Sequence, residues 1–369
     1  MIISILFVLV VLLKLNPIST KANDVLHNYN LTAESDNPTA ILVRSFNMNE
    51  WALPDSVIAV ARAGAGVNNI PHGEYAKRGV CVFNTPGANA NGVKELVIAS
   101  MIMAARNLFP AMTWAQTLTG DDVAKQVEKG KSKFVGTEIL GKTLAVLGLG
   151  AIGRKVAVSA HALGMKVVAY APRHHQVFDT EVPFVKVFDN LDDAVKEADF
   201  VSIHIPYKPE TKHTLNAEKF ALMKDGVIII NSARAELVNL DDVKTALGEG
   251  KVRAYVVDFP TFEALGDDKI TAIPHLGAST EESEENCAVM ASESLIEYLE
   301  KGNVVNSVNL PNLSVEPTKK HRYTVISVED KEYGGVSAVK NGLRYTIIDS
   351  DDELTDSDFE GAIKFRKVF

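Results

Sequence analysis

At 369 residues the chain is long enough for two or three domains, each with its own core. A formal net charge of −9 argues against nucleic acid or an anionic membrane surface as the main partner. Cys81 and Cys287 are the only cysteines, so there is no disulfide framework, and a reducing cytoplasm is the expected location. Neither reads as a nucleophile: Cys81 lies in the apolar run Val80–Phe83, and Cys287 follows an acidic stretch.

The elements follow in chain order. Ile2 to Leu13 is almost wholly apolar and reads as a first buried strand. A targeting segment is the alternative, but the run lacks a basic start and a small-residue cleavage site, and it is short for a bilayer. Ala40–Val43, Ser56–Ala61 and Val80–Phe83 are strands at regular intervals with helix-sized segments between them, which indicates a small parallel α/β domain. Ligands of such sheets bind beyond the carboxyl ends of the strands, where Arg44, Ser45, Gly64 and Gly66 fall. Gly92 to Arg106 is apolar on nearly every face and reads as a helix buried all round. A polar stretch with Trp114 and a charged run from Asp121 to Lys133 follow.

Thr143–Leu147 is an apolar, partly β-branched run, and Gly148, Gly150 and Gly153 stand directly after it in G-x-G-x-x-G spacing. The reading is strand, tight turn and helix, with Gly148 turning the chain, Gly150 admitting a pyrophosphate and Gly153 letting the helix lie on the strand. The helix from about Ile152 to Leu163 aims unpaired N–H groups at the phosphates. Gly164 ends it, and Lys166–Tyr170 completes a βαβ unit. The acid that normally follows the second strand is missing, since the chain reads Tyr170-Ala-Pro-Arg-His-His175. NAD is the expected cofactor, with NADP left open because Arg173 and two histidines follow Ala171. No metal site is expected at His174 and His175, which have no third ligand at suitable spacing.

Beyond the fingerprint, Leu191–Ala198, Asn216–Met223 and Leu240–Leu247 read as helices, and Phe200–Ile205, Gly226–Ile230, Ala254–Val257 and Thr271–Ile273 as strands. Arg234, Asp258 and His275 stand just after successive strand ends, the strongest constellation in the chain. Ser279 to Glu300 opens on a capping pattern and continues as a long helix. Asn303 to Pro317, rich in Asn, Pro and Ser, reads as a linker. His321 to Phe369 offers strands at Arg322–Ile326, Leu343–Ile348 and Lys364–Phe369 and a short helix at Ser357–Ile363, and is small for an independent domain.

The runs Ala61–Ile70, Asn84–Leu96, the glycine fingerprint, Asn231–Arg234, Val257–Pro260 and Pro274–Thr280 together resemble the D-2-hydroxyacid dehydrogenase family, and within it the branch that acts on phosphoglycerate. The resemblance runs from about Asn16 to Asn312. It implies an α/β fold with two Rossmann-like or flavodoxin-like parallel-sheet domains. The substrate domain is discontinuous, expected over 1–90 and 276–305, with an NAD-binding domain inserted at 91–275. After a linker at 306–320, residues 321–369 look like a truncated ACT-like α+β segment, with a helix and a strand missing between Ile326 and Gly342.

The resemblance maps the family's catalytic Arg, Glu and His onto Arg234, Glu263 and His275. Glu263 sits in a run that departs from the usual pattern. Ser232, Ala233, Arg234, Asp258, His275, Gly277 and Ala278 are implied at the cofactor, with Ala151 and Ile152 at its pyrophosphate. Gly64, Ala65 and Gly66 are implied at the substrate carboxylate, and Arg44, Ser45, Arg62 and Lys94 are further substrate candidates. The chemistry suits these types: imidazole can take a hydroxyl proton near neutral pH, a carboxylate can orient it, and a guanidinium forks a substrate carboxylate. The implied activity is NAD-dependent oxidation of 3-phospho-D-glycerate, the first step of serine synthesis, by a homodimer or homotetramer. The alternatives are a glyoxylate or hydroxypyruvate reductase and a nucleotide-sensing binding protein on the same scaffold. Ala235, where the family usually has glycine, is a further departure.

Overall fold

A computed structural model describes residues 10–172 and 182–369. The chain forms two compact units, Met1–Asn89 with Glu281–Phe369, and Ala90–Thr280.

In the first unit five strands, β1 (Val11–Leu15), β2 (Asn30–Thr32), β3 (Ala40–Val43), β4 (Ala59–Arg62) and β5 (Cys81–Phe83), form a parallel sheet in the order β2-β1-β3-β4-β5. Their apolar runs are buried on both faces, as a parallel sheet requires. Leu12, Leu42 and Ala61 face the helix Glu281–Lys301, while Leu13, Ile41, Val43 and Val60 serve the other layer. Strand β1 overlaps the end of the apolar N-terminal run and continues to Leu15, and residues 1–9 lie outside the described part. β4 starts three residues later than the alternation suggests, because Ser56 turns away to donate its hydroxyl to the Pro38 carbonyl at 2.8 Å. Asn30–Thr32 gave no strand signal, being short and half polar.

The second unit has seven strands, β6 (Thr143–Leu147), β7 (Lys166–Tyr170), β8 (Lys186–Phe188), β9 (Phe200–Ile203), β10 (Val227–Asn231), β11 (Val252–Val257) and β12 (Ile270–Ala272). All are parallel, in the order β12-β11-β10-β9-β6-β7-β8, the doubly wound order with one strand added. The helix Ala90–Ala105 is not buried all round. It buries one stripe, Val93, Val97, Met101 and Ala105, and leaves Ile102 exposed, because a helix lying on a sheet turns only one side to it. The polar stretch with Trp114 contains a further helix, Leu108–Ala115. Among the described residues no single helix is long and apolar enough to cross a membrane.

The expected linker is an ordered, partly buried strip of the first unit. Asn309 accepts from Val82 N–H at 2.9 Å and donates to the Val80 and His72 carbonyls at 2.9 Å, and Ser307 donates to the Val82 carbonyl at 3.2 Å. Polar side chains here complete the hydrogen bonding of β5, which composition cannot distinguish from solvation by water. The C-terminal segment also departs from expectation. Strands β13 (His321–Val328), β14 (Val336–Lys340), β15 (Leu343–Ser350) and β16 (Lys364–Lys367) make an antiparallel sheet in the order β14-β15-β13-β16. The strand thought missing is present as β14. The short helix is instead a 3-10 turn, Asp356–Phe359, and residues 321–369 contain no α-helix. The connection before β14 is short and carries Gly334 and Gly335 at positive φ, which leaves no room for one.

This sheet is bolted to the helix Glu281–Lys301. Ile326, Tyr345 and Ile347 join Leu295 and Tyr298 in the core. Arg322, fully buried, pairs with Asp349 at 2.6 Å and donates to the Lys301 carbonyl at 3.0 Å. Arg366 donates to the Tyr298 and Leu299 carbonyls, and the Tyr345 hydroxyl to that of Gly302 at 2.7 Å. Two cations and a phenol therefore occupy the end of the helix where unpaired carbonyls gather.

Candidate active site

The fingerprint glycines have three different surroundings. Gly148 has φ +101°, and a methyl there would lie 3.0 Å from the His204 carbonyl. A methyl at Gly153 would lie 1.9 Å from the Gly148 oxygen, so the helix Ala151–Ala162 rests on the turn only because that position is bare. A methyl at Gly150 would meet nothing within 4 Å. Space is thus left at the one glycine whose backbone faces the start of the helix, as a dinucleotide pyrophosphate requires. His204, beside this turn, shares a 2.8 Å hydrogen bond with the Ser202 hydroxyl, and burial pushes its pKa down to about 4.

Lys94 lies in this second unit. With Asn91, Ala151, Arg154 and Lys155 it lines a cleft of about 500 Å³ along the first turns of the fingerprint helix. At the end of β7, Ala171 N–H donates to the Phe188 carbonyl of β8, which sets Asp189 beside the position that lacks an acid. Sequence reasoning missed Asp189 because it missed β8. Arg173, His174 and His175 lie outside the described residues.

The three strand-end candidates converge through Asp258 and Phe259. Asp258 is 1% exposed. Its carboxylate accepts from Leu276 N–H at 2.7 Å and Gly277 N–H at 2.9 Å, and its carbonyl accepts from His275 N–H at 3.0 Å. Burial raises its pKa, against the pull of those two N–H groups and of the neighbouring imidazole. Three bonds from one residue fix the turn at His275, which sits at φ +54°, a conformation few non-glycine residues adopt unaided. Gly277 must be bare, since a methyl there would approach the Asp258 carboxylate to 2.9 Å and Val93 to 3.4 Å. The Phe259 ring centroid is 4.1 Å from that of His275 and 4.6 Å from the guanidinium carbon of Arg234. One aromatic ring thus carries both the imidazole and the guanidinium. Its signal lay in Asp258-Phe259-Pro260, where only the flanking acid drew attention.

Arg234 is extended and exposed, and its loop is tied by Asn231, which donates to the Arg234 carbonyl at 2.8 Å and to the Tyr255 hydroxyl at 3.1 Å and accepts from Ala233 N–H at 3.2 Å. Ser232 and Ala233 lie in that loop, and Ala278 follows the Asp258-bound turn. Glu263 is placed differently from expectation. It is exposed in the 3-10 turn Phe262–Ala264, and its own backbone N–H, then the Thr261 hydroxyl, hold its carboxyl below the usual range. No hydrogen bond or ion pair among the described residues joins it to His275. The short turn anchors the acid locally, and Lys244 grips the Glu263 carbonyl.

In the first unit the chain leaves β1 at Asn16, φ +65°, and leaves β3 at Arg44 and Ser45. Asn16 accepts from Arg44 N–H at 3.2 Å and donates to the Ser45 hydroxyl at 3.1 Å, spanning the switch point of the sheet. Arg62 Nε donates to the Arg44 carbonyl at 3.0 Å, and Gly64, Ala65 and Gly66 follow in the loop, where Asn84 donates to the Ala65 carbonyl at 2.6 Å. Cys287 is buried near Thr85, and both cysteines are free thiols, with burial pushing Cys81 up to about 12.

Residues 98–279 match the D-isomer specific 2-hydroxyacid dehydrogenase, NAD binding domain. The chain is 36% identical to D-3-phosphoglycerate dehydrogenase of Methanocaldococcus jannaschii over 71% of this chain and 49% of that protein. It is 38% identical to hydroxypyruvate reductase of Thermotoga maritima over 65% of this chain and 77% of that one. It thus spans about half the length of the former. A glyoxylate reductase from Paecilomyes thermophila shares the fold with a TM-score of 0.68 over 81% of this chain and 98% of its own, at 24% identity. Fingerprint, Asp258-bound turn and these likenesses agree, and the chain belongs to the D-isomer specific 2-hydroxyacid dehydrogenase family.

Proposed function

We propose that the protein is an NAD-dependent D-3-phosphoglycerate dehydrogenase, oxidising 3-phospho-D-glycerate to 3-phosphohydroxypyruvate at the entry to serine synthesis. The observation that carries this reading is the single ring of Phe259 bearing His275 and Arg234, beside a fingerprint with open space at Gly150. Gly150, Ala151 and Ile152 would hold the NAD pyrophosphate, and the bound cofactor would supply the acceptor for the hydride from C2. His275 takes the C2 hydroxyl proton as that C–H bond breaks, leaving a 2-oxo acid, and in the reverse direction returns it. Arg234 forks the substrate carboxylate and draws charge toward the forming carbonyl. Asp258 holds the His275 turn in place while this happens. Glu263 is assigned as the partner of the imidazole on the resemblance alone.

NAD is favoured by the match of residues 98–279 to an NAD binding domain. The apolar surface at Ile102, Phe109 and Met112 suits a second copy of the chain, consistent with a homodimer or larger homo-oligomer. The second reading is a hydroxypyruvate reductase, favoured by the coverage of the Thermotoga maritima enzyme.

The test is steady-state turnover of 3-phosphoglycerate and D-glycerate with NAD and with NADP, for wild type and H275A. Preference for the phosphorylated acid, lost turnover in H275A and retained NADH binding support the reading. Preference for the unphosphorylated acid moves the reductase to the front.

A further inference from the structure

The switch point of the first sheet collects two guanidinium groups, Arg44 after β3, whose main-chain N–H donates to Asn16, and Arg62 at the end of β4, whose Nε donates to the Arg44 carbonyl. Anions bind at such strand ends, and two arginines suit a phosphate. The helix Glu281–Lys301 brings an acid to the same place. Glu284 in its first turn accepts from Arg44 Nη2 at 2.5 Å, with 38% and 40% of the two side chains exposed. A first-turn acid suits the helix dipole in any protein, and Glu281 and Glu282 serve that purpose without touching Arg44. Glu284 differs in spending its charge on a candidate substrate contact, which offsets the positive charge of Arg44.

We propose that Glu284 is a specificity-determining residue, tempering Arg44 so that this strand-end site discriminates less sharply between phosphorylated and unphosphorylated 2-hydroxy acids than its two arginines would. A phosphate dianion is drawn by Arg44 and Arg62 and repelled by Glu284, whereas an uncharged hydroxymethyl group feels neither. Removing one unit charge a few ångströms from a phosphate at a half-exposed site changes its affinity on the order of tenfold. The inference rests on the family reading and on Arg44 as a substrate contact.

The experiment compares wild type, E284Q and E284D by the ratio of kcat/KM for 3-phosphoglycerate over D-glycerate. Glutamine keeps the acceptor for Arg44 and loses the charge, so the ratio rises about tenfold in E284Q and stays near wild type in E284D. An unchanged ratio in E284Q, or a fall, overturns the proposal and leaves Glu284 as a structural acid. Protection of each variant against thermal unfolding by inorganic phosphate is read in parallel. If the wild type turns over neither acid, the proposed function fails, but phosphate must still protect E284Q at lower concentration than wild type for the Glu284 assignment to stand.

Discussion

Adding a methyl group at two of the fingerprint glycines separates folding from cofactor binding. At Gly150 the backbone angles, φ −72° and ψ −167°, suit any residue, and a Cβ meets nothing within 4 Å. G150A therefore gains roughly 0.4–1 kcal/mol from a stiffer unfolded chain. It gives back about the same by replacing glycine with alanine ahead of a helix. Melting should stay within about 2 °C of wild type. The same methyl occupies the approach of a pyrophosphate, and losing one N–H bond to a charged oxygen costs about 1.5–3 kcal/mol. NADH should then bind about 10- to 150-fold more weakly. At Gly153 the methyl would lie 1.9 Å from the Gly148 oxygen, against 3.4 Å for ordinary contact, so the helix must move about 1.5 Å. Overpacking of this kind costs about 1–3 kcal/mol, or roughly 2–12 °C in a unit of this size. Thermal melts and NADH fluorescence titrations of both variants read the two effects. G150A binding NADH as tightly as wild type would refute the placement of the pyrophosphate.

D258N sets an amide donor against either Leu276 N–H or Gly277 N–H and leaves one buried donor unmet at about 1–3 kcal/mol, so kcat/KM should fall about 5- to 150-fold in steady-state assays. R322M leaves the Asp349 carboxylate without its partner and uncaps the Lys301 carbonyl, and urea unfolding at neutral pH should show a loss of about 3–5 kcal/mol. Arg322 lowers Asp349 from its usual value to about 2, so the stability this pair contributes is complete above about pH 4 and disappears as pH falls toward 2. In D349N that acid-side slope should flatten.

What could be read from the chain was what its near neighbours in sequence decide. Thr143–Leu147, the glycine turn and Lys166–Tyr170 were legible to the residue, because strand, turn and helix follow one another within one βαβ unit. Arg234, Asp258 and His275 were legible as strand ends, and the core strands of both sheets as apolar runs. Contacts between distant residues left no local mark. Glu284 meets Arg44 from 240 positions away, and Phe259 gains its role only where β11 and the His275 turn come together. Lys94 was read with Arg44 and Arg62 as a substrate candidate, and it lies in the second unit, which begins at Ala90. Glu263 was assigned by resemblance, while its local turn holds the carboxyl elsewhere.

The strip from Asn303 to Leu313 settles how one side of the first sheet behaves among other molecules. A bare outer strand offers a row of unpaired amides and carbonyls that can template pairing with another chain and seed aggregation. On the outer side of β5 those groups are spoken for: Val82 N–H by Asn309, the Val82 carbonyl by Ser307 and Val308 N–H, and the Val80 carbonyl by Asn309. Because side chains make several of these bonds, the strip ends the sheet there without extending it. An incoming strand finds no continuous ladder to join. Residues that look like a flexible tether in composition thus act as a stopper against self-association through this side of the sheet.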